Sequence, residues 1–158
     1  MDETDPNYSK IMAYIDRNPA AVLSTINDDG TPYGAVVYVC SASHRTVCFV
    51  TKRRTQKYKD IDQRPIVSLT FFNEKEGSTL QTTGAATITN DHQMIDYVMD
   101  KIAKSHVMQA GWQAPVTKLE GSDYLVVGVK LDTVRLTEFQ GAGISSEPTI
   151  TELGVNHG

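Results

Sequence analysis

Residues 21–40 read AVLSTINDDGTPYGAVVYVC, two apolar, β-branched runs on either side of Asn27-Asp28-Asp29-Gly30. Gly30 supplies the positive-φ residue that a tight reversal needs, so the stretch is a β-hairpin, Ala21–Ile26 returning as Tyr33–Cys40. Further along, Ser41–Arg45 is a second turn leading into a strand at Val47–Thr51. After a short charged helix, Pro65 opens a strand at Ile66–Asn73, and Glu74–Ser78 turns the chain into a long strand at Thr79–Thr89. Tyr124–Phe139 completes the set as one long strand or a bent pair. Upstream, Tyr8, Ile11, Met12 and Ile15 share one face of a helix that ends before Pro19. Asp91 is placed to N-cap another helix, with Met94, Ile95, Val98, Met99 and Ile102 on its apolar side. The connections are mostly too short for parallel crossovers. The reading is a mainly β (α+β) fold, a split barrel of about six antiparallel strands with flanking helices.

The chain's 158 residues fit a single domain. We place it over residues 1–140, with 141–158 as a C-terminal tail. A net charge of −4 argues against a general nucleic-acid or anionic-membrane binder. The acidic, polar N-terminus is unlike a secretory signal. No stretch approaches the roughly 18 apolar residues of a membrane span. A cytoplasmic location is therefore expected. Cys40 and Cys48 flank the second turn and are read as free, semi-buried thiols rather than a disulfide. No zinc-ligand spacing is present, and no metal site is expected. The sequence contains no nucleophile elbow or phosphate-binding P-loop, and no catalytic side chain is assigned.

The short helix Thr55–Arg64 carries the chemistry. Lys52, Arg53, Arg54, Lys57 and Lys59 crowd its N-terminal end, while Asp60 and Asp62 follow. That order opposes the helix dipole, and five cations within eight residues call for an anion. A phosphate group would accept from free N–H groups at the helix start, the Thr55 hydroxyl and Lys57.

These pieces recur in order: Asp29-Gly30, Pro32 to Val37, Phe49-Val50-Thr51, Thr55-Gln56-Lys57, Pro65-Ile66-Val67-Ser68-Leu69 and Gly84-Ala85-Ala86. The ordered set resembles the pyridoxamine 5'-phosphate oxidase-like, FMN-binding split-barrel superfamily. The resemblance implies a homodimer with FMN at the subunit interface and a flavin-dependent oxidoreductase activity. It places Val50 and Thr51 beside the flavin and its phosphate end, and Thr55, Gln56 and Lys57 on the phosphate. The backbone of Ala35, Val36 and Val37 would face the isoalloxazine edge. Thr79 and Gln81 share one strand face, and either would reach the ring or ribityl chain.

The departures bear on activity. The oxidases proper carry arginine where Ala35 and Gln56 stand here, and a substrate-binding Arg-x-His that this chain lacks. Vitamin B6 oxidation is therefore rejected, and the layout looks closer to the short general stress protein branch. The alternative reading is a non-catalytic module of the same fold holding FMN, haem or a deazaflavin. His44, His92, His106 and His157 stand singly, the pattern of surface residues, although His44 or His106 would be the axial position in a haem-binding relative. Trp112 is expected against the flavin or at the dimer interface. The tail would pack across a dimer or stay loose.

Overall fold

The computed structural model describes residues 3–105, 123–139 and 147–154. The order of elements is α1 (Pro6–Arg17), β1 (Ala20–Ile26), β2 (Pro32–Ala42), β3 (Thr46–Lys52), α2 (Gln56–Gln63), β4 (Ile66–Asn73), β5 (Ser78–Thr89), α3 (His92–Ser105), β6 (Tyr124–Glu138) and β7 (Thr149–Leu153). All neighbouring strands are antiparallel, in the order β3-β2-β1-β4-β5-β6-β7. A further β3–β6 pairing, Thr46↔Lys130 through Lys52↔Tyr124, joins the ends and closes a six-stranded barrel. β7 lies outside that ring on β6.

Alternation sorts the side chains. Leu23, Val37, Val39, Val47, Phe49, Leu69, Phe71, Leu80, Val127 and Val129 fill the interior. α1 adds Ile11, Tyr14 and Ile15 to that core, and the Tyr14 hydroxyl meets Ser78 Oγ at 3.0 Å. Asp5 caps α1 by accepting from the Asn7 N–H. The opposite face of β2, β3 and β6 is covered by α3. There Ile95, Val98 and Ile102 pack with Cys40, Cys48, Val50 and Val126, and Met94 and Met99 lie at the edge. Asp91 Oδ1 accepts from Gln93 N, as its capping position requires. Cys40 and Cys48 are directly paired across the β2–β3 hairpin and are free thiols.

Of the two readings of the last long stretch, one strand or a bent pair, the structure has the first, and in the tail it departs from the sequence reading. Tyr124–Glu138 is one strand, bent by a bulge: Gly84 pairs with Leu131 and Thr83 with Thr133, leaving Asp132 without a ladder partner. Inward positions switch there from odd (Val127, Val129, Leu131) to even (Val134, Leu136). Position 84 must be glycine, because a Cβ would stand 2.3 Å from the Lys130 carbonyl oxygen. The departure is in the tail. Residues Thr149–Leu153 pair with the C-terminal half of β6, and Leu153 joins the barrel core. Five residues with no turn signal beside them give little local sign of a strand, and the register on β6 makes it one.

Candidate functional site

The N-terminus of α2 is built around Thr55. Its side chain caps the helix by accepting from Tyr58 N at 3.3 Å, and its hydroxyl donates to the Lys52 carbonyl at 2.9 Å. Thr51 Oγ1, at the end of β3, lies 3.0 Å from Thr55 Oγ1. The first turn holds no acidic residue. Lys57 is half-buried, and burial alone pushes its ammonium below the ordinary lysine pKa. Among the described residues it has no hydrogen bond or ion pair. A half-buried, uncompensated cation in the first turn of a helix whose start also carries two hydroxyls suits an anionic group.

Gln56 is directed elsewhere. Its amide donates to Asp60 Oδ1 at 2.7 Å, one turn along α2, while the Thr25 hydroxyl donates to Asp60 Oδ2 at 2.7 Å. Asp60 is only 2% exposed, so this carboxylate is a buried tie between α2 and β1. Val50 points its side chain under α3, so only its backbone faces away from that packing. Lys52 is not a free cation, because its ammonium lies 5.3 Å from the Tyr124 ring centroid.

The other expected residues lie on the barrel. Val36 is 64% exposed and Val37 is buried inward, with Ala35 between the two extremes. Thr79 and Gln81 share the outer face of β5, as the alternation implied. Register joins Val36, Val22, Thr70, Gln81, Arg135 and Glu152 into one row across six strands. Three strand spacings, about 14 Å, separate Val36 from Gln81 within that row. A parallel row of small residues runs through Gly34, Ser24, Ser68, Thr83 and Thr133. Where these rows cross β4–β7 they floor a groove of about 750 Å³, whose lining includes Ser68, Thr70, Gln81, Thr133 and the Arg135–Glu152 ion pair. Thr79 lies one row away, paired with Phe72 and Thr137.

Sequence reading missed Asp60, although its spacing from Gln56 was visible, and it missed the Thr70 and Arg135 positions, which only strand register brings together. Trp112, His106 and His157 lie outside the described residues. His44, in the β2–β3 turn, is exposed beside Glu3. Among the described residues there is no metal-type cluster of His, Cys, Asp and Glu, and no helix is long and apolar enough to cross a membrane.

A sequence profile described as pyridoxamine 5'-phosphate oxidase matches residues 9–138, which contain the α2 corner and every strand of the barrel. The chain belongs to the pyridoxamine 5'-phosphate oxidase family. No curated protein matches it by sequence. Solved structures share the family fold. General Stress Protein 26 from Bacillus anthracis str. Sterne is 17% identical with a TM-score of 0.65, the match covering 93% of this chain and 99% of that one. A pyridoxamine 5'-phosphate oxidase-related, FMN binding protein from Nostoc punctiforme PCC 73102 is 14% identical with a TM-score of 0.62, over 94% and 97%. An F420 reductase is 19% identical with a TM-score of 0.62, over 77% of this chain and 93% of its own. In this chain the second residue of that corner, Gln56, is turned toward Asp60.

Proposed function

We propose that the chain binds FMN and acts as a flavin-dependent oxidoreductase, working as a homodimer with the cofactor between subunits. The observation that carries this reading is Lys57, a half-buried ammonium with no hydrogen bond or ion pair among the described residues, in the first turn of α2, whose start carries the Thr51 and Thr55 hydroxyls. Lys57 and the two hydroxyls would hold the phosphate, and the backbone of Ala35–Val37 would border the ring. Gln81 or Thr79 would contact the ring or ribityl chain from β5. Bound FMN supplies electron or hydride transfer, and the protein contributes binding, orientation and electrostatics. The exposed apolar side chains Val22 and Val36 offer a surface for a planar ring or for the second subunit. The solved FMN binding protein of the same fold supports the choice of cofactor.

A second reading, a deazaflavin-binding module of the same fold, draws on the F420 reductase neighbour. The visible spectrum of the purified protein, with mass spectrometry of what it releases on denaturation, separates the two. FMN in the supernatant is the expected result. A colourless protein that takes up no added FMN would overturn the proposal, and a Soret band would mark a haem protein.

A further inference from the structure

The turn between β2 and β3 holds two non-glycine residues in the left-handed region, His44 at φ 57° and Arg45 at φ 58°. Such turns favour Asn-Gly, and a residue with a long side chain pays a conformational penalty there. The backbone of Arg45 is clamped nonetheless: its N–H donates to the Tyr8 hydroxyl at 3.2 Å, and its carbonyl accepts from Leu131 N at 2.9 Å. Its side chain is another matter. Arg45 Nη1 is buried and has no acceptor among the described residues.

Arg45 lines a hollow of about 200 Å³ at the bulge of β6, together with Ile66, Thr83, Gly84, Lys130 and Asp132. Two cations face one carboxylate there, and no ion pair among the described residues engages any of the three. The bulge leaves Asp132 without a Cα partner in the β5–β6 register. Gly84, where a Cβ would stand 2.3 Å from the Lys130 carbonyl oxygen, lets β5 and β6 approach closely beside the hollow. The hollow meets the larger groove of β4–β7 at Thr83, which borders both.

We propose that this hollow is an oxyanion site, taking a carboxylate or phosphate group against Arg45 and Lys130. The rest of such a molecule would extend past Thr83 into the hydroxyl-lined groove. The site is separate from the Lys57 corner and does not depend on which cofactor that corner holds. It also accounts for an arginine at a turn position that glycine would occupy with less strain. A planar guanidinium is suited to paired oxygens, which gives the site its preference for a carboxylate or phosphate over a halide.

Amide chemical shifts of the full chain, titrated separately with inorganic phosphate and with acetate, test the proposal. Saturable shifts at Gly84, Leu131 and Asp132 are expected in the wild type and equally in Lys57→Gln. Arg45→Gln should weaken them about tenfold or more, the loss of one charge-assisted contact. Arg45→Gly should weaken them as much while leaving the melting temperature unchanged or higher, since glycine adopts the left-handed backbone without strain. A response to phosphate alone, or to acetate alone, supports the site and names its oxyanion. Absence of saturable shifts at these amides, or equal affinity in Arg45→Gln, would overturn it.

Discussion

The Thr25 hydroxyl donates to the Asp60 carboxylate at 2.7 Å and so ties the middle of α2 to β1 inside a site that water does not reach. Asp60→Ala would strand the Thr25 hydroxyl and release the Gln56 amide. We expect a loss of about 2–3 kcal/mol in urea unfolding. Asp60→Asn keeps an acceptor for Thr25 and should cost less. Equal stability of Asp60→Ala and wild type would show that the tie contributes nothing.

Lys57 sets the proposed cofactor affinity. Lys57→Glu should abolish FMN binding in a fluorescence titration while leaving the circular dichroism spectrum unchanged, because the half-buried ammonium makes no hydrogen bond or ion pair among the described residues. Unchanged affinity would place the anion elsewhere.

The same lysine predicts a pH dependence. Burial lowers its pKa in the empty protein, whereas a bound anion favours the charged form and raises it. Affinity for a phosphate-bearing ligand should therefore be full below the lowered pKa and decline as pH rises through it, earlier than an ordinary lysine would allow. Lys57→Arg should flatten the alkaline decline, since arginine stays charged. An alkaline decline that persists in Lys57→Arg would assign it to another group.

Cys40 and Cys48 face each other beneath α3, and burial pushes their thiols up to about 12 and about 11. With so little thiolate, both should resist a disulfide reagent at pH 8 in the native protein, and both should react once it is unfolded. Rapid labelling of the native chain would show that α3 opens readily over the pair.

Val36 and Val22 sit side by side on the outer face, 64% and 43% exposed. If a second subunit covers them, Val36→Lys should halve the mass measured by light scattering without unfolding the barrel. A wild-type monomer would remove the dimer from the proposal.

Local chemistry made much of this fold readable. Gly30, at φ 85°, announced the β1–β2 hairpin, and Ile66–Asn73 is bounded as its sequence indicates, by Pro65 before it and a turn after it. The site was less legible wherever its parts meet across sequence distance. That Thr55 caps α2 and Lys57 falls in its first turn was visible in the sequence itself. The burial of Val50 under α3 follows from strand parity combined with where a helix lands, which no local pattern states. The row Thr70–Gln81–Arg135–Glu152 depends on three registers at once. Arg45 gave no signal at all, because its meaning lies in the hollow left by a bulge some 85 residues further on.

β6 has three strand partners, and the ring exists only once its N-terminal half has met β3. During synthesis the first five strands therefore emerge as an open sheet, with β3 as a bare edge rich in apolar residues. Such an edge can pair with another nascent chain until residue 130 is made, so folding yield should fall with crowding on the polysome and recover when translation is sparse. Truncation before Tyr124 should leave an aggregating product rather than a smaller barrel.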